Sequence, residues 1–149
     1  VTQTTLSMDD TSLIIDALRE KFPLIEGPRK KDICYATQNR QVAVAKLADL
    51  CDLVFVVGGE NSSNTKRLAE IVKKKNISVH RISGKKDINK SWLNGIKTLG
   101  LTSGASSPEI LINEILDFLR NIYNEVEIED LKGIKENITF KPLTKFSWF

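Results

Sequence analysis

Residues 53–64 read Leu53-Val54-Phe55-Val56-Val57-Gly58-Gly59-Glu60-Asn61-Ser62-Ser63-Asn64. The five apolar residues predict a strand over 52–58 that is buried on both faces, as is typical of a parallel sheet. The two glycines end the strand, and the polar residues lead into a helix whose apolar face carries Leu68, Ile71 and Val72. This strand, turn and helix predict an α/β fold.

The alternation continues towards the C-terminus. We predict strands near 77–82 and 97–102, with a small helix around 87–93 between them. Pro108 is expected to open a last amphipathic helix, since proline suits the first helical position. The apolar face of that helix carries Leu111, Ile115, Phe118, Leu119 and Ile122. A charged, strand-like segment is expected over 125–131.

Two further helices are expected upstream. Ser7 is placed to cap a helix that Pro23 ends, and residues 23–31 read as a linker. Thr37 is expected to cap the second helix. The apolar faces of the two helices are formed by Ile14, Ala17, Leu18 and Phe22 in the first, and by Val44, Leu47, Ala48 and Cys51 in the second.

Composition narrows the class of protein. The chain has 149 residues, a net charge of +3 and 41% hydrophobic residues, as in a soluble globular protein. No apolar run approaches the roughly 20 residues of a membrane-spanning helix. Aromatic residues do not interleave with the basic clusters, which argues against nucleic-acid binding. Two cysteines are too few for a disulfide framework, so a reducing, cytoplasmic location is expected.

The N-terminus begins at Val1 and lacks an initiator Met and the features of a secretory signal. We interpret this start as a cut through a longer polypeptide. A mature chain released by processing is the alternative.

Two strand-to-helix turns share one chemical design. Ser62, Ser63 and Asn64 follow the first strand, and residues 103–106, including Ser106, follow the last one. Free N–H groups and the partial positive charge of a helix start suit phosphate oxygens. Ligands of open α/β sheets bind at this end of the strands, so two adjacent turns would suit a diphosphate. Ordinary helix capping remains an equal alternative.

Other catalytic arrangements find little support. Neither a P-loop nor a G-x-G-x-x-G pattern is present, which argues against a nucleotide cofactor. Cys34 stands just before a helix start, which favours its thiolate and allows a nucleophile or metal ligand, although a buried inert cysteine is commoner. Cys51 fits that inert case. His80, the single histidine, is expected on the surface.

Together these residues resemble the C-terminal half of the 4-hydroxy-3-methylbut-2-enyl diphosphate reductase (LytB/IspH) family. Four motifs in the family's order carry the resemblance: Thr2-Gln3-Thr4-Thr5-Leu6-Ser7, Asp32-Ile33-Cys34-Tyr35-Ala36-Thr37-Gln38-Asn39-Arg40-Gln41, Val56-Val57-Gly58-Gly59 with Asn61-Ser62-Ser63-Asn64, and Thr102-Ser103-Gly104-Ala105-Ser106-Ser107-Pro108.

The resemblance implies an iron–sulfur reductase of non-mevalonate isoprenoid biosynthesis. Such an enzyme removes the allylic hydroxyl of its diphosphate substrate to give isopentenyl and dimethylallyl diphosphates, with electrons from a ferredoxin or flavodoxin type donor. It implies that Cys34 is one of three cysteine ligands of a 4Fe-4S cluster and that Thr4 helps the proton path at the substrate hydroxyl. It also implies that the diphosphate is bound by Ser62, Ser63, Asn64 and Ser106.

The family's remaining ligands, its substrate-binding histidines and its proton-donating glutamate are expected upstream of Val1, so this chain alone is expected to be inactive. The family fold has three α/β units in pseudo-threefold arrangement. Residues 1–30 would end the second unit, 31–122 would form the third, and 123–149 the tail. A stand-alone diphosphate-binding module without redox role, and a folded remnant without function, are the alternatives.

Overall fold

The computed structural model of the chain describes residues 8–27, 35–104, 106–123 and 125–131. Its longer elements are α1 (Met8–Lys21), α2 (Tyr35–Ala48), β1 (Leu53–Val57), α3 (Ser63–Lys74), β2 (Ser78–Ile82), β3 (Leu99–Ser103) and α4 (Glu109–Ile122). Two short 3-10 helices, Lys85–Asp87 and Lys90–Leu93, replace the single small helix that the sequence predicted. The alternation of strands and helices confirms the α/β class.

The three strands form a parallel sheet in the order β2-β1-β3. All five residues of β1 are buried, because strands pair with both its edges and helices cover both its faces. Val57, Ile82 and Ser103, the last residues of the strands, lie side by side in the register. We call this end of the sheet the carboxyl edge.

Alternate residues of β1 face opposite layers of the molecule. Leu53, Phe55 and Val57 belong to a core cluster with buried residues of α4 and of the segment between β2 and β3. Val54 and Val56 belong to a second cluster with buried residues of α2 and α3. The sheet is therefore the middle of three layers, as predicted.

Gly100 allows the end of α2 to approach β3. A Cβ at this position would lie 2.9 Å from Cγ of Leu47 and 3.0 Å from Sγ of Cys51.

Burial, together with the nearby Asp52 carboxylate, raises the pKa of the Cys51 thiol. The thiol therefore stays protonated at neutral pH, which agrees with its predicted inert role. It lies beyond the end of α2, which stops at Ala48 rather than continuing to Cys51 as expected.

Three local predictions are wrong. Thr37 is the third residue of α2 rather than its cap, and its side chain is buried. Pro108 has extended backbone, so α4 begins one residue later than predicted. The segment 125–131 forms neither strand nor helix in the described structure. The predicted cap Ser7 lies outside the described residues.

Helix α1 contacts the rest of the fold through charges. Asp10 accepts a hydrogen bond from Arg67 of α3 at 3.0 Å. The predicted apolar face of α1 is largely open to solvent, with Ile14 57%, Leu18 40% and Phe22 51% exposed. The division at residues 30 and 31 between two α/β units therefore stays a prediction.

No helix in the described ranges has both the length and the apolar character needed to cross a membrane.

His80 is not the surface residue that the sequence suggested. His80 belongs to β2, and its side chain is partly buried. The imidazole stacks on the ring of Trp92, with 3.7 Å between the ring centroids and 5° between the ring planes. Phe55 meets both rings edge-on. This burial lowers the pKa of His80, because removing water disfavours the imidazolium.

The lowered pKa predicts that folding stability falls as the pH falls. Below the ordinary histidine pKa of about 6.5 the unfolded chain takes up a proton before the folded chain does, so protons favour unfolding. We expect urea denaturation to give a lower free energy of unfolding at about pH 5 than at about pH 7.5. His80→Phe keeps an aromatic ring on Trp92 and should reduce this difference. An equal pH dependence in the variant would assign the effect to other groups.

Candidate functional site

Three helices begin at the carboxyl edge of the sheet. Helices α3 and α4 follow β1 and β3, so each starts where its strand has ended. Helix α2 precedes β1, and its end lies against Gly100 near the start of β3, so its first turn points to the same edge. Free N–H groups and the positive ends of helix dipoles therefore gather where an anion could bind.

Buried polar residues are concentrated at these helix starts. Within the described ranges, four of the five buried polar residues fall in the first two turns of α2 and α3: Thr37, Gln41, Asn64 and Thr65; the fifth, Thr11, lies in α1. Burying a polar group costs free energy unless it is hydrogen-bonded. The shared position of the first four indicates that this end of the helices is suited to polar contacts.

Ser62 forms the cap of α3. Its Oγ accepts a hydrogen bond from the N–H of Thr65 at 3.3 Å, and its carbonyl accepts one from Lys66 at 3.0 Å. The N–H groups of Ser63 and Asn64 have no acceptor in the described structure. They remain available to an anion, as is usual for the first turn of a helix.

Asn64 and Thr65 carry the clearest sign of a site. Asn64 is 7% exposed and Thr65 is fully buried. Among the described residues, neither end of the Asn64 amide nor the hydroxyl of Thr65 has a hydrogen-bond partner. Because nearly all buried polar side chains in proteins are satisfied, three unpaired atoms on neighbouring residues need an explanation, and a bound ligand would supply one.

Two glycines bring the turns after β1 and β3 together. A Cβ at Gly58 would collide with Oγ1 of Thr65 and lie 3.1 Å from Oγ of Ser107. A Cβ at Gly104 would lie 2.8 Å from the same threonine oxygen and 3.7 Å from Nδ2 of Asn64. The start of α3 is thus packed directly against the ends of both strands, which joins the two predicted turns into one site.

The predicted binding residues differ in exposure. Asn64 is buried, Ser62 is partly buried, and Ser63 and Ser106 are open to solvent at the carboxyl edge. The structure brings the two turns together, as the sequence predicted. Thr4 and Cys34 lie outside the described residues, so their predicted roles stay predictions.

Sequence reasoning assigned no role to three residues near these helix starts. Thr65 and Ser107 lie against the two glycines. Arg40, in the second turn of α2, has a buried Nε that finds no hydrogen-bond partner in the described part of the chain. Arg67, by contrast, is already paired with two carboxylates. These residues differ from ordinary helix-start residues in their burial and in their closeness to the two glycines or to the helix starts, neither of which the sequence shows.

The described part of the chain does not hold a metal cluster by itself. It contains no group of three or more histidine, cysteine, aspartate or glutamate side chains that could bind a metal ion. Cys51, the described cysteine, is buried with a raised pKa and lies beside Gly100, away from the carboxyl edge. An iron–sulfur cluster needs several thiolates together, so the described residues alone do not fit one.

A groove of about 680 Å³ runs along β3 at a different place. Its lining includes Leu99, Leu101 and Ile112, and residues 125–131 form one of its walls. None of the predicted substrate-binding residues lines it. The unpaired polar groups described above therefore locate the candidate site better than this mainly apolar groove does.

Comparison with protein families agrees with the motifs. The LytB protein family model matches residues 1–120 of the chain. Proteins named 4-hydroxy-3-methylbut-2-enyl diphosphate reductase from Pseudomonas aeruginosa and Pseudomonas entomophila are 54% and 55% identical over 140 residues. In both cases the match covers 94% of this chain and 44% of the relative.

Solved structures show the same fold. The E-1-hydroxy-2-methyl-but-2-enyl-4-diphosphate reductase of Plasmodium falciparum matches with a TM-score of 0.73 and 42% identity, over 81% of this chain and 37% of its own. A structure of (E)-4-hydroxy-3-methyl-but-2-enyl diphosphate reductase, the terminal enzyme of the non-mevalonate pathway, matches with a TM-score of 0.59 and 29% identity. That match covers 80% of this chain and 42% of the other.

The chain thus spans less than half the length of these curated relatives and of these two solved structures. Since the family model matches well over half of the chain, and the four motifs fall in the family's order, the chain belongs to the LytB protein family.

Proposed function

We propose that the chain supplies the diphosphate-binding part of a 4-hydroxy-3-methylbut-2-enyl diphosphate reductase. In this reaction two electrons and two protons replace the allylic C–O bond by a C–H bond and release water. The products are isopentenyl and dimethylallyl diphosphates. The observation that carries the proposal is the set of unpaired, buried polar atoms of Asn64 and Thr65 at the start of α3.

The proposed contacts follow from the geometry at the carboxyl edge. The free N–H groups of Ser63 and Asn64 donate to phosphate oxygens, and the dipole of α3 favours their negative charge. The hydroxyl of Ser62 accepts from Thr65 and still has its own proton to donate. Ser106, at the turn after β3, would bind the second phosphate group. The Asn64 amide contributes further donor capacity beside them.

We assign Cys34 as the one cluster ligand on this chain, with the other two supplied by the rest of a full-length LytB polypeptide. The cluster would supply the electrons of the reaction. Cys34 directly precedes Tyr35, the first residue of α2, and a helix start stabilises a thiolate. Thr4 is assigned to the proton path at the substrate hydroxyl, on the family motif that contains it.

The remaining assignments rest on the family resemblance. We infer a ferredoxin or flavodoxin type electron donor, and a cytoplasmic reaction in keeping with the two cysteines of the chain. Residues 31–122 would form the third of three α/β units, with 1–30 completing the second and 123–149 forming the tail.

The proposal is tested by complementation. The chain is joined to the part of the Pseudomonas aeruginosa relative that lies outside the 140 matched residues, and reductase turnover is measured with a chemical reductant. Asn64→Leu should raise KM for the diphosphate substrate about 10- to 100-fold, the value of a lost hydrogen bond to a charged group. Asn113→Leu, at an exposed position of α4, is the control and should leave KM unchanged.

Two outcomes would contradict the proposal. An unchanged KM in Asn64→Leu would show that the diphosphate binds elsewhere. A complemented protein that binds pyrophosphate but stays free of iron and of turnover would favour the alternative, a diphosphate-binding module without redox role.

A further inference from the structure

We propose that Ser107 is a positioning residue which fixes the spacing of the two phosphate-binding turns and so makes the site prefer a diphosphate over a single phosphate. This inference rests on the proposed function. It concerns a residue that makes no assigned contact with substrate and acts through its neighbours Ser106 and Gly104.

The carbonyl of Val57 is the point at which the two turns are joined. It accepts a hydrogen bond from the N–H of Gly104 at 2.9 Å and a second one from Oγ of Ser107, also at 2.9 Å. The N–H of Ser107 in turn donates to the carbonyl of Gly104 at 3.1 Å. The turn that carries Ser106 is thus held to the last residue of β1, directly before the turn that carries Ser62.

Thr65 opposes this connection from the α3 side. Its fully buried side chain fills the space left by the missing side chains of Gly58 and Gly104, so the two turns cannot move closer together. The Ser107 hydrogen bond, together with the one from the Gly104 N–H to the same carbonyl, keeps them from moving apart. The distance between the donors at the start of α3 and the Ser106 hydroxyl is therefore fixed from both sides.

A fixed distance matters only for a ligand that touches both turns. Pyrophosphate can contact the start of α3 and the Ser106 turn at once, whereas orthophosphate can be held by one of them. Releasing the second turn should therefore weaken pyrophosphate binding and leave orthophosphate binding nearly unchanged. A general loss of structure would weaken both ligands, so their affinity ratio separates positioning from stability.

The experiment measures, by calorimetry, the Kd of inorganic pyrophosphate and of orthophosphate for the chain complemented as in the test of the proposed function. Ser107→Ala should raise the Kd of pyrophosphate about 3- to 10-fold, as expected for one net hydrogen bond, and change that of orthophosphate less than about twofold. Ser107→Thr keeps the hydroxyl, so its preference for pyrophosphate over orthophosphate should equal that of the unsubstituted protein. Ser91→Ala removes the hydroxyl that donates to Asn89 at 2.9 Å in an exposed 3-10 helix, and serves as control.

Asn64→Leu distinguishes failure of this inference from failure of the proposed function. If Asn64→Leu weakens pyrophosphate binding while Ser107→Ala leaves the ratio unchanged, Ser107 has no positioning role and the site itself stands. If Asn64→Leu has no effect, or the unsubstituted complemented protein does not bind pyrophosphate at millimolar concentration, the proposed site is wrong and the inference with it.

Discussion

Replacing Cys34 by serine is expected to abolish iron uptake by the complemented protein. A serine hydroxyl is a poor substitute for a cluster thiolate, and the proposed cluster has three cysteine ligands in all. After anaerobic reconstitution with iron and sulfide, the unsubstituted protein should show visible absorbance and bound iron. Cys34→Ser should show neither, and its turnover should fall to background.

The second cysteine provides the matched control. Cys51 is buried and the pKa of its thiol is raised. It lies where the end of α2 packs against Gly100 of β3, away from the carboxyl edge. Cys51→Ser should therefore retain iron content and absorbance, although burying a hydroxyl there will lower stability. A full cluster in Cys34→Ser, or loss of iron only in Cys51→Ser, would overturn the assignment of Cys34.

Gly58→Ala is expected to have the largest effect at the candidate site. The new Cβ would collide with Oγ1 of Thr65 and press on Oγ of Ser107. Thr65 is fully buried at the start of α3, so it cannot move aside without shifting the helix. We expect a loss of about 1–3 kcal/mol in the free energy of unfolding, as for other overpacked sites, together with weakened pyrophosphate binding.

Gly59→Ala tests whether the effect comes from this contact. It makes the same change one residue further along the chain, where a Cβ would meet nothing within 4 Å. Its free energy of unfolding should change by less than about 0.5 kcal/mol, as is usual for exposed positions. Equal effects of the two substitutions in urea denaturation would show that loss of glycine flexibility, and not the Thr65 contact, is responsible.

The sequence was sufficient for the fold class, for most of the element order and for the family. Five apolar residues in β1 can be buried together only if both faces of the strand are covered, as is typical of a parallel sheet between helices. The apolar spacing of α3 and α4 depends only on residues near in the chain, and the family motifs are local as well. Ser62 and Asn64 could be predicted as binding residues for this reason.

Several details depended on neighbours that a local pattern does not contain. Thr37 looks like a cap, but it is buried and lies inside α2, which begins two residues earlier. His80 has polar neighbours in the chain, yet it is covered by Trp92, which comes from a later segment. The alternating residues of 125–131 resemble a strand, but the described structure gives that segment no pairing partner.

The precise form of the candidate site was decided by tertiary structure alone. Thr65 and Gly104 are far apart in sequence and meet because β1 and β3 are paired in register, so that both strands end beside the start of α3. The same pairing puts the Ser107 hydroxyl on the Val57 carbonyl. The sequence determined which polar groups were available, and the packing of the strands determined which of them are buried, unpaired and close enough to act together.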